Sequence, residues 1–337
     1  MLTRLIHHAR MHGTPGEFIL ERARACGVEP YLMREVNDGR ITARDLDLPD
    51  LDVRLATFKA TQTARLMLWK KSLQDVLKIL EMPVIVLKGA PLGQKLTGDP
   101  LWRETTDIDL WIDPSQRERA TSLLKSIGYE IGEEPRLWAT NQIILTHPTR
   151  IPIELHWNLA PPPWKTPNFS QAFESSQTSN ELGFTIHVLN DAMQYLHIMV
   201  HAHQHYFALK SVMDYHFACQ NIKRDIALID EYGLSRLENF LNLICENEKF
   251  HPNRKFTHTC VHLWYNNILS SQARGELVFG RESKWQAAMG VLVRALSMGL
   301  MDGIAYPVEG FLRVIFAGPH RIGMFNIRHF GKFIEKI

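Results

Sequence analysis

Two aspartates, Asp107 and Asp109, lie two residues apart in an apolar stretch of the sequence. If this stretch is a β-strand, both carboxylates leave the same face while Ile108 and Leu110 point into the core. Like charges held this close favour a divalent cation, and Mg²⁺ prefers such an all-oxygen ligand set. The pattern predicts a metal site, and the alternative is an ordinary pair of solvated aspartates on an edge strand.

A lysine and a glycine, Lys88 and Gly89, follow a short β-branched run at residues 84–87. The run is typical of a buried strand, and a short helix is predicted at residues 91–96, with Pro91 near its first turn. A glycine between a strand and a helix N-terminus presents free backbone N–H groups, which suit a phosphate. The alternative is a simple turn.

A third carboxylate comes from a separate predicted strand, IPIELHW at residues 151–157. The alternation places Glu154 and His156 on one face, with the apolar side chains on the other. Glu154 therefore joins the two aspartates as a candidate metal ligand. His156 has no assigned role, and the alternative to a function is a packing and hydrogen-bonding residue.

The ordered combination of these motifs resembles a known superfamily. The sequence carries LKG, then R-x-x-x-D-I-D-L beginning at Arg103, then a predicted helix with a Gly-Tyr turn, and then IELHW. Over residues 66–214 this resembles the DNA polymerase beta-like nucleotidyltransferases, and within them a bacterial branch described as uncharacterised nucleotidyltransferases. The resemblance implies an α+β fold, in which a mixed sheet with flanking helices is joined by N-terminal helices and a C-terminal helical domain.

The resemblance also implies roles for the residues that match. Asp107 and Asp109 would be the metal pair and Glu154 the third acid of a two-metal Mg²⁺ site, with an NTP such as ATP as co-substrate. Two such cations stabilise the attacking and leaving oxygens of an in-line displacement. Gly89 would let the backbone approach the triphosphate, while Glu154 would bind the second metal or accept a proton from the attacking hydroxyl.

Two basic side chains, Lys88 and Arg103, would offset charge on the phosphates. The sequence departs from the superfamily at Gly89-Ala90, where a second glycine or a serine is usual. The spacing from Gly89 to Asp107 is also longer than in the smaller polymerase-like enzymes. Both departures bear on the phosphate contacts.

Helices are predicted on both sides of the motifs. Short helical pieces are expected around residues 14–25 and 42–46, and an uninterrupted amphipathic helix at residues 51–80, which contain no Pro or Gly. After Asp113, a helix is predicted to begin at a capping box of Ser115 and Glu118 and to end at Gly128. Further strands are expected at residues 129–131 and 141–146. The stretch after the prolines at 161–163, up to residue 180, reads as an exposed loop or a short linker helix.

A helical region is predicted from the N-cap Asn190 to residue 219. Three histidines recur on one face of it at i, i+4 spacing: His197, His201 and His205. A metal site is one interpretation, although HIMVH lacks the glutamate of the HExxH motif. Core and rim histidines at a domain junction are the second. The resemblance adds a third, in which His201 and Lys210 contact the nucleotide phosphates and Asp214 orients one of them.

The length and composition predict more than one domain. The chain has 337 residues, of which 45% are hydrophobic and 22% charged. This length predicts two or three domains. We expect an N-terminal helical region (1–80), a nucleotidyltransferase catalytic domain (81–188) and a C-terminal helical domain (189–337).

The net charge and the cysteine spacing bear on nucleic-acid binding, zinc binding and disulfide formation. The net charge of +2 does not favour broad nucleic-acid binding, although a local groove for RNA stays open. The four cysteines form no CxxC pair, so neither a zinc site nor a disulfide framework is indicated.

The location expected from the sequence is cytoplasmic. The basic N-terminus has no apolar signal-peptide core, and no apolar run reaches the roughly 18 residues of a membrane span. The basic, aromatic segment at residues 311–337 has two interpretations, a membrane- or polyanion-binding tail and a terminal helix with a solvated basic face. The oligomeric state stays open.

The main hypothesis is a Mg²⁺-dependent nucleotidyltransferase that moves an NMP group from an NTP to a hydroxyl or phosphate and releases pyrophosphate. The acceptor is a small molecule, sugar, peptide or protein, and the resemblance implies a biosynthetic tailoring role. One alternative is a non-catalytic nucleotide- or peptide-binding protein on the same fold. The other is a toxin-type nucleotidyltransferase that acts on protein or RNA.

Overall fold

The computed structural model describes most of the first 246 residues. The described ranges are 2–11, 13–133, 141–160, 165–205 and 208–246. Most of the predicted C-terminal helical domain, including the basic segment at residues 311–337, lies outside the described residues.

A mixed sheet lies at the centre of these ranges. Its strands are β1 (Val84–Val86), β2 (Ile108–Ile112), β3 (Glu130–Glu133), β4 (Gln142–Thr146), β5 (Ile153–His156), β6 (Gln177–Ser179) and β7 (Ile186–Val188). Their order across the described sheet is β3-β4-β5-β2-β1-β7-β6. β2 pairs parallel with β5, and β1 pairs parallel with β7, whereas β1 and β2 are antiparallel. The α+β class with a mixed sheet and flanking helices is thus confirmed.

Helices cover both faces of this sheet. They are α1 (Leu2–Met11), α2 (Gly16–Ala25), α3 (Glu29–Asn37), α4 (Ala43–Leu46), α5 (Leu51–Leu80), α6 (Ala90–Thr97), α7 (Arg117–Ser126), α8 (Phe169–Glu174), α9 (Asp191–Gln204), α10 (Leu209–Asn221), α11 (Ile226–Glu231) and α12 (Ser235–Glu246). None of these helices has the length and apolarity needed to cross a membrane.

The long helix α5 connects two apolar clusters. The side chains of Leu51 and Phe58 pack in a cluster with the N-terminal helices, α9–α12 and one face of the sheet. The side chains of Trp69 and Val76, farther along the helix, pack against the other face together with α7. The helix has the bounds that its uninterrupted sequence predicts, and it ends at Glu81 in a left-handed conformation. α5 therefore holds the sheet and the helical layer together, while the division of the chain at residues 80 and 188 stays a prediction.

One local prediction was wrong at the residue level, and a second was incomplete. The helix after β2 does not begin at a Ser115 and Glu118 capping box. Instead, the Asp113 carboxylate accepts a hydrogen bond from the Ser115 N–H and caps a 3₁₀ turn, Pro114–Gln116, which precedes α7. The proline permits this turn because its φ is fixed and it has no N–H to satisfy.

The second concerns the stretch up to residue 180, predicted as an exposed loop or a short linker helix. It contains a short helix, α8, as one alternative predicted, but also β6, and β7 follows to pair with β1. These strands are three residues long, which is too short for an alternation of apolar and polar residues to show. The predicted helical region after Asn190 is two helices, α9 and α10, and the Asn190 side chain caps α9 by accepting from the Met193 N–H.

Candidate active site

The parallel pairing of β2 with β5 creates the centre of the site. Asp109 lies opposite Glu154, and Trp111 lies opposite His156. Because side chains alternate along each strand, Asp109, Glu154 and His156 extend from the same face of the sheet. Neighbouring residues of both strands are buried and apolar, so strand packing fixes the position of each of these polar side chains.

Asp109, Glu154 and His156 form what we call the acid cluster. Each offers one ligand atom, and these three atoms all lie within 4.8 Å of one another. The His156 Nε2 atom is 3.4 Å from Asp109 Oδ1 and 3.6 Å from Glu154 Oε2. Asp109 and His156 are buried, whereas the Glu154 side chain is 22% exposed. The cluster is therefore accessible from the side of Glu154.

Lys88 places its ammonium between the two carboxylates. Its Nζ is 2.6 Å from Asp109 Oδ1 and 3.9 Å from Glu154 Oε2. Burial lowers the pKa of Lys88, but the carboxylates of Asp109, Glu154 and Asp107 act against it, and the pKa is raised overall. Lys88 is therefore a permanent positive charge at the acid cluster.

The two aspartates of the DxD pair have opposite electrostatic environments. Burial, together with the Asp109 carboxylate, raises the pKa of Asp107 to about 6. Burial also acts to raise the pKa of Asp109, yet the Lys88 ammonium and the hydrogen bond from His156 hold it well below its usual range. Asp109 is thus anionic at neutral pH and paired with Lys88 and His156. Asp107 precedes β2 and is partly exposed beside the cluster.

Trp69 is a site residue that the sequence did not reveal. Its indole N–H donates to the backbone carbonyl of Asp107 at 2.7 Å. Its ring also lies against Gly89, where an added Cβ would come within 2.4 Å of Trp69 Cζ2. Gly89 has φ 74°, a conformation that side chains rarely adopt, and it directly precedes α6. The glycine therefore serves packing against Trp69 as well as the turn into α6.

Arg103, predicted to face the phosphates, lies in a separate group that we call the arginine cluster: Arg103, Asp214 and Tyr31. The guanidinium donates to both Asp214 oxygens, with Nη2–Oδ2 at 2.8 Å and Nε–Oδ1 at 3.1 Å. The Tyr31 hydroxyl donates to the same carboxylate. Arg103 is only 4% exposed. The hydrogen bonds of the cluster connect the loop before β2 to α10 through Arg103, and α10 to α3 through Tyr31.

Tyr31 extends the list of residues that sequence reasoning missed. Its hydroxyl pKa is raised well above the usual value by burial and by the Asp214 carboxylate, so it remains protonated and donates. Asp214 was expected to orient His201 or Lys210, but the structure places it with Arg103 and Tyr31. No local pattern marks this contact, because Tyr31 and Asp214 lie 183 residues apart.

His201 lies beside Lys88, and therefore close to the acid cluster. Lys88 Nζ is 3.2 Å from His201 Nε2, and a lysine can only donate, so the imidazole accepts. Burial and the Lys88 charge hold the pKa of His201 well below its usual value. The neutral ring can orient Lys88 or hydrogen-bond a ligand, but it brings no positive charge to a phosphate.

The other histidines of this face continue along α9. The ring centroids of His197 and His201 are 5.9 Å apart, and those of His201 and His205 are 4.2 Å apart. His197 is buried, and its pKa is likewise lowered by burial and by Lys88. The face therefore runs from the buried side of Lys88 to the surface at His205.

Lys210 approaches the site from α10. Its Nζ is 3.7 Å from Glu104 Oε2, and burial and the charge of Arg103 lower its pKa. It interacts electrostatically with Asp107 but has no described ion pair with the acid cluster. The structure thus brings Lys88 close to His201, Asp109 and Glu154, with Asp107 and Lys210 at the margin.

The fold and the site together define the class of this protein. A mixed sheet that presents acids from two adjacent parallel strands, with a glycine turn on the next strand, has the organisation of a nucleotidyltransferase. A family model described as uncharacterised nucleotidyltransferase matches residues 16–246. The chain belongs to this family and is a nucleotidyltransferase, which confirms the resemblance inferred from the motifs.

Other comparisons give less detail. Among solved structures, the chain is similar to the solution structure of the antibiotic-resistance factor ANT(2'')-Ia, at 14% identity and a TM-score of 0.37. The similarity covers 55% of this chain and 98% of that one. A search of curated proteins finds no match.

Proposed function

We propose that this protein transfers an NMP group from an NTP to a hydroxyl or phosphate of an acceptor, with release of pyrophosphate. The observation that carries the proposal is the pairing of Asp109 with Glu154 on parallel strands, with the Lys88 ammonium between them. Few structural roles require two acids and a buried lysine on one face of a central sheet. Strongly interacting ionisable groups in one place are typical of catalytic sites.

The residues present fit a divalent cation. The acid cluster supplies two carboxylates and an imidazole nitrogen, all of them common metal donors, within 4.8 Å of one another. The Lys88 ammonium already occupies a position 2.6 Å from Asp109, which shows that this face attracts positive charge. Asp109, Glu154 and His156 would hold the cation, with Asp107 beside them. When bound, it would supply charge stabilisation for the oxygens around the α-phosphorus.

The protein's own residues would carry the remaining steps. Lys88 would bind an oxygen of the triphosphate, with His201 fixing the direction of its N–H groups. The free N–H groups at the start of α6, beside Gly89, would bind another phosphate oxygen. These contacts offset charge that develops on the leaving pyrophosphate.

The exchange at phosphorus would be a single displacement. An acceptor oxygen forms a bond to the α-phosphorus, and the bond to the β-bridging oxygen breaks, so pyrophosphate leaves with that electron pair. Glu154 is partly exposed while Asp109 is buried, so Glu154 is better placed to receive the proton of an attacking hydroxyl. Lys210, at the margin of the site, would contact the nucleotide or the acceptor.

Isothermal titration tests the nucleotide half of this proposal. Wild-type protein should bind at least one of ATP, GTP, CTP and UTP in the presence of Mg²⁺ or Mn²⁺, and Asp109→Asn should weaken that binding. Binding of none of the four by wild-type protein, or binding that Asp109→Asn leaves unchanged, would refute the enzymatic proposal.

Incubation of the protein with lysate and α-labelled NTP tests the acceptor half. A labelled small molecule, sugar, peptide or protein supports transfer to that class. Labelled RNA would instead favour a toxin-type activity, and nucleotide binding without any labelled product would favour a binding protein.

A further inference from the structure

His156 contributes a nitrogen to a site whose sequence motifs predict only oxygen ligands. Its Nε2 lies 3.4 Å from Asp109 Oδ1 and 3.6 Å from Glu154 Oε2. Both distances exceed the usual range of about 2.7–3.2 Å for an N–H···O hydrogen bond. As hydrogen bonds, both contacts are weak.

The same distances suit atoms that share one metal ion. Ligands about 2.0–2.2 Å from a metal, at tetrahedral angles, lie roughly 3.3–3.6 Å from one another. The separations of His156 Nε2 from the two carboxylate oxygens are close to this range. The spacing therefore suits the coordination of one ion as well as a long hydrogen bond between His156 and Asp109.

The burial of His156 gives a second, independent indication. The ring is 4% exposed, and its Nδ1 has no hydrogen-bond partner among the described residues. A buried histidine with a structural role normally satisfies its ring nitrogens. Here strand β5 directs Nε2 between two acids, so the described polar contacts of this buried ring are all with the acid cluster.

We propose that Asp109, Glu154 and His156 form a three-ligand site that selects a borderline transition-metal dication over Mg²⁺. Imidazole raises affinity for metals such as Co²⁺ and Zn²⁺, whereas Mg²⁺ gains little from a nitrogen donor. The inference rests on the proposed function for its biological purpose. It concerns which cation serves the transfer, and metal binding can be measured without nucleotide.

Titration of the full chain with Co²⁺, and separately with Mg²⁺, tests this site in the absence of nucleotide. Wild-type protein should bind Co²⁺ at least about tenfold more tightly than Mg²⁺, with the strong visible absorption of a low-coordinate, nitrogen-ligated ion. His156→Gln should weaken Co²⁺ binding by at least about 10- to 100-fold, since that is the loss typical when only the hydrogen-bond partner of a metal ligand is removed. Mg²⁺ affinity should change less than about threefold.

Two further variants keep the test decisive. His205→Gln removes an exposed histidine from the neighbouring face of α9 and should leave Co²⁺ affinity unchanged. Lys88→Met removes the ammonium that contacts Asp109 Oδ1 and should strengthen Co²⁺ binding, because lysine and metal compete for that oxygen. Circular dichroism would show that each variant is folded.

The outcomes separate the inference from the proposed function. Equal Co²⁺-to-Mg²⁺ selectivity in wild-type and His156→Gln proteins would overturn the inference, as would loss of Co²⁺ binding in His205→Gln alone. Absence of Co²⁺ binding by wild-type protein would also overturn it. Co²⁺ bound through His156 in a protein that binds no NTP would support the inference and refute the proposed function.

Discussion

The acid cluster and the arginine cluster are both buried groups of charged side chains. They differ in how completely their polar atoms are hydrogen-bonded within the cluster. In the arginine cluster, the Arg103 guanidinium makes three contacts of 2.8–3.2 Å with Asp214, and Tyr31 adds a further hydrogen bond. In the acid cluster, the contacts of His156 are 3.4 and 3.6 Å, and its Nδ1 is unpartnered among the described residues.

This difference separates a structural role from a chemical one. In a buried ion pair with short hydrogen bonds, the polar atoms already bind each other and hold the helices and strands together. Few of these atoms remain free to bind a substrate. An open cluster with a partly exposed acid retains the ability to bind a ligand. We therefore propose a structural role for Arg103 and a chemical role for the acid cluster with Lys88.

The largest expected effect on stability comes from removing the guanidinium of the arginine cluster. Arg103→Met leaves the Asp214 carboxylate buried without its cation, so the free energy of unfolding should fall by about 3–5 kcal/mol. Urea denaturation measures this change. Arg65→Met, at an exposed position on α5, is the matched control and should change stability by less than about 0.5 kcal/mol.

The double variant Arg103→Met with Asp214→Leu sharpens the result. It removes both charges and should recover part of the lost stability, because apolar replacement of a whole buried pair is often tolerated. If Arg103→Met instead keeps full stability and loses nucleotide binding, Arg103 acts on the substrate and the distinction between the clusters fails.

The second prediction concerns the exposed acid of the acid cluster. Glu154→Gln removes a charge from the reacting centre and should slow pyrophosphate release by about 10²–10³-fold. The free energy of unfolding should change by less than about 1 kcal/mol, since Glu154 is partly exposed and its contacts are long. A coupled pyrophosphate assay and urea denaturation measure the two quantities.

Glu130→Gln is the control for this substitution, because it removes an exposed strand glutamate from β3. It should leave both activity and stability near wild-type values. Retention of full activity by Glu154→Gln would show that the partly exposed carboxylate takes no part in the transfer.

The contrast between the clusters also marks what the sequence could predict. Alternation within IELHW correctly placed Glu154 and His156 on one face, because the two-residue period is a local property of a strand. The absence of Pro and Gly likewise predicted the bounds of α5. The arginine cluster depends instead on tertiary packing, since Arg103 and Asp214 are 111 residues apart. No periodicity identifies such a partner.

Trp69 shows the same limit within a correctly predicted element. The amphipathic helix α5 that carries it was predicted, yet its hydrogen bond to Asp107 and its contact with Gly89 were not. Both depend on where the helix crosses the sheet. A residue can thus be assigned to the core while its polar atom positions the site.

The third prediction concerns Tyr31, the most remote member of the arginine cluster. Tyr31→Phe removes one donor from a buried carboxylate that keeps its guanidinium, so the free energy of unfolding should fall by about 2 kcal/mol. Urea denaturation measures it. Tyr232→Phe, at a partly exposed position, is the control and should have little effect. A change in nucleotide affinity without a change in stability would assign Tyr31 to the substrate instead.

The smallest expected effect is a pH dependence from Asp107. Its pKa in the folded protein, about 6, lies above the usual value of 3.8, so the folded state binds this proton more tightly than the unfolded state. The resulting stabilisation is present below about pH 4 and is lost as pH rises through 6. One pKa unit corresponds to about 1.4 kcal/mol, and screening at this partly exposed carboxylate should reduce the change to about 1 kcal/mol.

Asp107→Asn should remove this dependence, so the variant should gain stability relative to wild-type protein between pH 4 and pH 7. Urea denaturation at several pH values, in EDTA to exclude divalent cations, measures the difference. Asp52→Asn, on the exposed side of α5, reports the general effect of removing one negative charge. If the difference for Asp107→Asn stays constant across this range, the pKa of Asp107 is not raised in the folded protein. The Lys88 ammonium would then offset both the burial of this carboxylate and its repulsion by Asp109.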